Sequence, residues 1–309
     1  GGDVTDEQAA SDPSGVSEVP VHGDCTVLAF LNEVAGGGKL LETIRDRVEH
    51  GASRVALAAP QNQPSVGQIV NQDEVREAAQ SRVEVTQQVL AEFDIESEGA
   101  VLDHDPLLAL DDAVRAFSPQ EILISCLYET RVGLLRRDLV EWAKDRFEAP
   151  VTHIPVRVDD DAVRWDVTHT LVVATQTVNS PELAKRLKER AAEKSHRYTF
   201  VCPRSGEISR EEVCDRLAST LAELYREEID ATGQPMSPEP FAAIQNAIEH
   251  YRIDDIVIST FSGESSKWLE GGLIESVKEF TDRPIEHIQV GRGESPAPAR
   301  EASEVGAEA

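Results

Sequence analysis

The residues best suited to chemistry lie late in the chain. Ser262, Gly263, Ser265, Ser266 and Lys267 place three hydroxyls, a glycine and an ammonium within six positions. Such a run could form a donor-rich loop whose lysine meets a phosphate; a plain strand-to-helix turn is the alternative. Gly36, Gly37, Gly38 and Lys39 invite a Walker A reading. That motif, GxxxxGK[ST], would need glycine at 33 and Ser or Thr at 40, where the chain has Glu33 and Leu40, so a permissive turn is the better account. Asp103, His104 and Asp105 could start a metal or phosphoesterase site, but no further His/Asp cluster completes it, and capping of a helix before Leu107 is favoured. Cys25, Cys126, Cys202 and Cys214 form no CxxC pair and have no zinc spacing; they read as free thiols in a reducing compartment. No nucleophile–base pair, metal set or acid–base dyad emerges, so no enzymatic activity is expected.

The elements that must position these residues occur twice. Glu121–Val156 and Asp255–Val290 share a short apolar run, a polar turn, a helix-length segment, then Pro, an apolar residue and His-Ile. Ile122 and Ile256, Pro150 and Pro284, and His153 and His287 are each separated by 134 positions (256 − 122, for example). Before the first copy the pattern predicts strands at 25–31, 54–60 and 95–102 and helices at 39–50, 73–93 and up to 117. Before the second copy it predicts strands at 170–175 and 197–203 and helices at 181–194 and 209–229. Gly233–Pro240 repeats Gly99–Pro106 at the same offset. Strands alternating with helices, with runs apolar on both faces, argue parallel sheets covered on both sides. The expected boundaries are an acidic disordered tail at 1–23, a first unit at 24–157, a linker at 158–168, a second unit at 169–292 and a disordered tail at 293–309.

Composition narrows the function. A net charge of −27 over 309 residues repels nucleic acid and anionic lipid, so neither is an expected partner. No run is apolar for the ~18 residues that a membrane helix needs, and the acidic N-terminal stretch lacks the order of a signal peptide. The chain reads as cytoplasmic, its acidity as a solvated surface.

The doubled order resembles a tandem universal stress protein, carried mainly by the closing phrases APVTHIPV and RPIEHIQV and by the Gly-x-x-x-x-x-Glu/Asp-Pro approach to the third helix. It is similar in particular to divergent actinobacterial members that share IST, a Trp-Leu-x-x-x-Leu and a terminal Pro-Val/Ile-x-His. The resemblance implies an α/β fold of two tandem Rossmann-like domains, each a five-stranded parallel sheet of order 3-2-1-4-5 flanked by helices. It also implies ATP or AMP at the carboxyl ends of strands 1 and 4. The family's Gly-x-x-Gly, nine residues, Gly-Ser/Thr pattern falls on Ile258, Phe261, Gly271 and Gly272 in the second unit, where the later glycines persist. In the first unit it falls on Ile124, Leu127, Arg137 and Asp138, where none does. The nucleotide-contacting Asp of strand 1 is absent; Leu31 or Asn32, and Thr175 or Gln176, stand there, and the amides can still bond a base or ribose.

These readings lead to a non-enzymatic stress-response or regulatory protein. ATP, AMP or another small anion would be held only in the second unit, by Gln176, Ser262, Gly263, Ser265, Ser266, Lys267, Gly271 and Gly272. The alternatives are a ligand-free interaction scaffold with unknown protein partners and an ATP-using hydrolase or transferase. The family's pairing of last strands suggests an internal pseudo-dimer with His153 and His287 near the joint.

Overall fold

A computed structural model describes residues 25–32, 35–62, 72–126, 131–132, 137–155, 167–203, 208–236, 239–250, 252–262 and 271–291. Both expected tails, and the linker up to 166, lie outside the described residues.

The first unit contains β1 (Thr26–Leu31), β2 (Ala35–Gly36), α1 (Gly38–Glu49), β3 (Arg54–Pro60), α2 (Gln72–Ala91), β4 (Glu98–Leu102) and α3 (Pro106–Phe117). It continues through β5 (Glu121–Cys126), a small hairpin of β6 (Arg131–Val132) and β7 (Arg137–Asp138), α4 (Leu139–Arg146) and β8 (Val151–Pro155). Its parallel sheet runs β4-β3-β1-β5-β8, which is the order 3-2-1-4-5. β1 is buried at every position because helices cover both faces of the sheet, and strand side chains alternate between those faces. Val27, Ala29 and Leu31 pack with Leu40 and Ile44 of α1 and Val83 of α2. Leu28 and Phe30 pack on the other face with Leu110 and Phe117 of α3 and Leu139 of α4.

The second unit repeats the order as β9 (Thr168–Val173), α5 (Pro181–Glu193), β10 (His196–Pro203), α6 (Arg210–Arg226), β11 (Asp230–Met236) and α7 (Pro240–His250). β12 (Asp255–Phe261), α8 (Leu273–Phe280) and β13 (Ile285–Val290) complete it. Its own strands lie β11-β10-β9-β12-β13, again 3-2-1-4-5. Val172 faces the α5 and α6 side, whereas Leu171 and Val173 meet Ile244 of α7 and Val277 of α8. The protein is thus an α/β fold of two tandem Rossmann-like units. Even the turn after the long helix is duplicated: Asp94 and Glu228, 134 apart, both hold φ at 58°.

The units dock, but not through their last strands. β8 pairs with β5 and β13 with β12, each at the outer end of its sheet. His153 and His287 stay within their own sheets: Nε2 of His153 lies 3.1 Å from the Cys126 carbonyl, and Nε2 of His287 lies 2.8 Å from Oγ1 of Thr260. The seam is α2 packed on α6, with one continuous core that joins Val83, Val89 and Leu90 to Leu217, Leu221 and Leu224. These helices carry broad apolar faces, and burying two such faces against each other outweighs an edge-to-edge strand contact. Arg226 donates from Nη2 to the carbonyl and to Oε2 of Glu92, both at 2.9 Å, and these residues are 134 apart. A contact between equivalent positions marks an approximate two-fold axis. Arg210 adds a forked pair to Glu84 at 2.8 and 2.9 Å. One part of the seam breaks the symmetry. The stretch before α1, expected as a glycine turn, contains β2, which crosses over and adds antiparallel to β11 through Thr232↔Gly36 and Gly233↔Ala35.

Candidate functional site

In an open sheet of order 3-2-1-4-5 the strand order reverses between the first and fourth strands, and the crevice above their carboxyl ends is where ligands sit. Those strands are β1 and β5 in the first unit and β9 and β12 in the second.

In the first unit the described groups at the crevice bond to one another. The Asn32 amide donates to the Ser125 carbonyl at 3.0 Å, across the reversal point. Asn32 is buried, and its side-chain oxygen accepts from Nδ2 of Asn62 at 3.0 Å, so that amide is engaged within the protein. Arg82, fully buried on α2, donates from Nη1 to the Leu31 and Asn32 carbonyls at 3.0 and 2.8 Å and to Oδ1 of Asn62 at 3.2 Å. A guanidinium presents five fixed donors, so one side chain gathers three oxygens from two loops.

In the second unit the turn after β9 is tied by a comparable set. Thr175 donates to the Pro203 carbonyl, and Thr177 donates to the Ser259 carbonyl at 3.1 Å, which joins β9 to β12 across the reversal point. Thr220 of α6 donates to the Val178 carbonyl at 2.8 Å. Arg216, which is 134 positions after Arg82, donates from Nη1 to the Gln176 carbonyl at 2.9 Å and pairs through Nη2 with Glu212. Both long helices therefore send an arginine to the loop after their first strand. That loop is pinned to the helix that forms the seam.

The units differ where the helix after the fourth strand begins. In the first unit Asp138 precedes α4, and its Oδ1 accepts the Glu141 amide at 3.0 Å. In the second unit the equivalent residue is Gly272, left-handed at φ 67°, and no side chain caps α8. A Cβ at Gly272 would meet nothing nearer than Oε2 of Glu275, at 3.9 Å. A helix start presents unpaired N–H groups and a partial positive charge, so α4 has its anion built in, whereas the first turn of α8 has none from a capping residue. Glu275 stands in that first turn and opposes a second negative charge there.

Of the residues singled out from sequence, Gln176 lies half-buried in the turn after β9, its carbonyl engaged by Arg216. Ser262 follows β12, half-buried, and its amide donates to the Val290 carbonyl at 2.8 Å. Gly271 is exposed beside Gly272 at the start of α8. Gly263, Ser265, Ser266 and Lys267 lie outside the described residues. The fold places Gln176, Ser262, Gly271 and Gly272 at the carboxyl edge of one sheet. The Asp103–Asp105 run is a capping structure: Oδ1 of Asp105 accepts the Leu107 amide at 2.9 Å. Among the described residues no cluster of three His, Cys, Asp or Glu could hold a metal ion.

The groups near the crevice are poor proton and nucleophile chemistry. Burial pushes the Cys202 thiol far above its ordinary range and the Cys214 thiol to about 12, so both stay protonated and unreactive. Burial also lowers His287, favouring the neutral ring beside Thr260. Sequence reading did not find Arg82 and Arg216; their separation of 134 positions was the signal available. It also did not give Asp138 a capping role, although an Asp three residues before a Glu is a helix-start pattern.

The sheets and this crevice define a doubled, doubly wound α/β protein. Among solved structures the chain is similar to a universal stress protein from Archaeoglobus fulgidus DSM 4304, at 16% identity and a TM-score of 0.34, over 86% of this chain and 97% of that one. It also aligns with MurG of Acinetobacter baumannii at 11% identity and a TM-score of 0.20, over 85% of each chain. No family model matches the chain, and no curated protein does.

Proposed function

We propose that the protein is a non-enzymatic stress-response or regulatory protein of the universal stress protein type, holding ATP, AMP or another small anion in the second unit only. The contrast between Asp138 and Gly272 carries this reading, because it leaves α8 as the strand-4 helix start without a carboxylate cap. The doubled 3-2-1-4-5 topology and the closing His-Ile phrases support it. The donors assigned to the ligand are the first-turn amides of α8, Ser262, Gln176 and the run from Gly263 to Lys267. Equilibrium dialysis with ATP and AMP tests the proposal. Wild type should bind one nucleotide per chain, Gly272→Asp and Lys267→Ala should weaken it at least tenfold, and failure of wild type to bind either nucleotide would refute the ligand assignment.

A second reading, an interaction scaffold without ligand, is favoured by the ties across the reversal point and by Glu275 at the α8 start. It expects a melting temperature that added ATP leaves unchanged. An ATP-using hydrolase or transferase would instead show phosphate release above background.

A further inference from the structure

The first unit's glycine turn meets the second unit at its helix start. The Gly37 amide donates to the Tyr225 hydroxyl at 2.8 Å, and the Gly38 amide donates to Oδ1 of Asp230 at 3.2 Å. The Tyr225 hydroxyl in turn donates to the Ala231 carbonyl, and Oδ2 of Asp230 lies 3.3 Å from Nε of Arg197. α1 has no side-chain cap of its own, and two of its helix-start amides, those of Gly37 and Gly38, are satisfied from the other unit. The glycines fit that contact. Gly37 holds φ at 98°, a conformation that other residues rarely adopt, and a Cβ on Gly38 would stand 3.0 Å from Oδ1 of Asp230. β2 lies immediately before them, paired with β11.

The equivalent turn of the second unit is closed by its own unit, through Thr175 to Pro203, Thr177 to Ser259, Arg216 to Gln176 and Thr220 to Val178. Its helix, α5, is capped locally by Ser180, whose Oγ accepts the Leu183 amide at 3.3 Å. One of two duplicated turns has therefore been given to the seam.

We infer that Ala35–Gly38 is an inter-unit clasp, closed by Tyr225 and Asp230, which withdraws the first unit's helix start from any ligand and makes the two halves unequal. The clasp locks the register of α2 on α6 as well, since β2 and α1 cannot shift without uncovering two helix-start amides and a strand edge. No ligand enters its test, so its failure is distinct from failure of the nucleotide assignment.

Amide hydrogen exchange on the full chain, read residue by residue by NMR, provides that test. In wild type the Gly37 and Gly38 amides should be protected. Tyr225→Phe should speed exchange at Gly37, and Asp230→Ala at Gly38, by roughly fivefold, the factor expected for loss of one cap acceptor. Asp230→Asn keeps an acceptor oxygen and should restore protection at Gly38. The Ala109 amide in α3, bonded within its own unit to the Asp105 carbonyl, should not move. Unprotected Gly37 and Gly38 amides in wild type would overturn the clasp, as would a Tyr225→Phe protein with Gly37 unchanged. Should Asp230→Ala fail to fold because Arg197 loses a partner, Tyr225→Phe and Asp230→Asn decide the question alone.

Discussion

Asp138 and Gly272 occupy the same place in two copies of one fold, yet one supplies a carboxylate and the other leaves backbone amides. Duplicated positions need not keep the same role. Where the first copy caps its helix from within, the Glu141 amide already has an anionic acceptor in Asp138. The same division of labour appears at the first-strand turns: the earlier copy is spent on the seam through Gly37 and Gly38, and the later copy is closed by its own threonines. The two halves are thus unequal: the first half's turn is bonded to the second unit, and the second half's turn is bonded within its own.

The strongest way to break this comparison is at Gly99 and Gly233, equivalent residues under different constraint. A Cβ at Gly233 would come within 2.5 Å of Phe200 Cβ and 2.7 Å of its carbonyl oxygen, where backbone cannot yield. At Gly99 the obstacles are side chains, Cγ1 of Val83 at 2.4 Å and the Gln87 amide at 3.1 Å. Gly233→Ala should cost about 3 kcal/mol and Gly99→Ala about 1 kcal/mol in urea unfolding, because overpacking against fixed backbone has no relief. Equal losses would mean that the two third strands are equivalent after all.

The seam gives the next contrast. The Arg210 and Glu84 side chains are 11% and 26% exposed, whereas Arg226 and Glu92 are 48% and 41% exposed. Removing Arg210 should destabilise the chain by about 2 kcal/mol, since a mostly buried carboxylate loses its partner. Arg226→Ala should cost no more than about 0.5 kcal/mol through its ion pair. A double-mutant cycle of Arg210 with Glu84 isolates the pair term.

At the helix starts, Asp138→Ala should lower stability by about 1 kcal/mol through loss of the cap. Gly272→Asp should be close to neutral, within about 0.5 kcal/mol, because the new cap is offset by the left-handed backbone that Asp tolerates imperfectly. A large loss from Gly272→Asp would show that the glycine is needed for shape alone.

The smallest expected effect is at the amino ends of the strands. Burial alone would raise the Glu286 carboxyl, but hydrogen bonds and charges from Arg186 and Arg190 outweigh it and hold the group below its ordinary range. A depressed carboxylate contributes stability above its ordinary value, and that contribution is lost as the pH falls through the folded value. Acid unfolding of Glu286→Gln should therefore lose a shallow part of its pH dependence, worth about 0.5 kcal/mol for so partly exposed a group. The first unit has the uncharged Thr152 at the equivalent position, where it donates to Oε1 of Glu121 at 3.4 Å, and Thr152→Val should change the acid limb less than Glu286→Gln does.

Much of the architecture was legible in the order of residues. The 134-residue repeat, the runs RVALAAP and RYTFVCP and the Asp105 cap are local patterns. Two-sided burial and helix-start hydrogen bonding write such patterns directly into neighbouring positions. β2 was not legible, because two residues of Ala-Gly carry no strand signal until an edge such as β11 offers them partners. Gln176 looked like a ligand contact from its place after a strand, and the carbonyl of that residue proved to be tied to Arg216 from a helix forty positions on.

By itself the sequence determined that there are two copies of one α/β unit, where most of the sheet strands lie, and that two glycines stand at the fourth-strand helix start of the second copy alone. Only the tertiary structure decided which faces meet. Docking through α2 and α6 depends on matching two apolar helix surfaces and on contacts such as Gly37 to Tyr225 and Gly38 to Asp230, whose partners are 188 and 192 positions apart. Local spacing fixes periodicity, whereas the choice among surfaces is a comparison of buried areas that no single stretch contains.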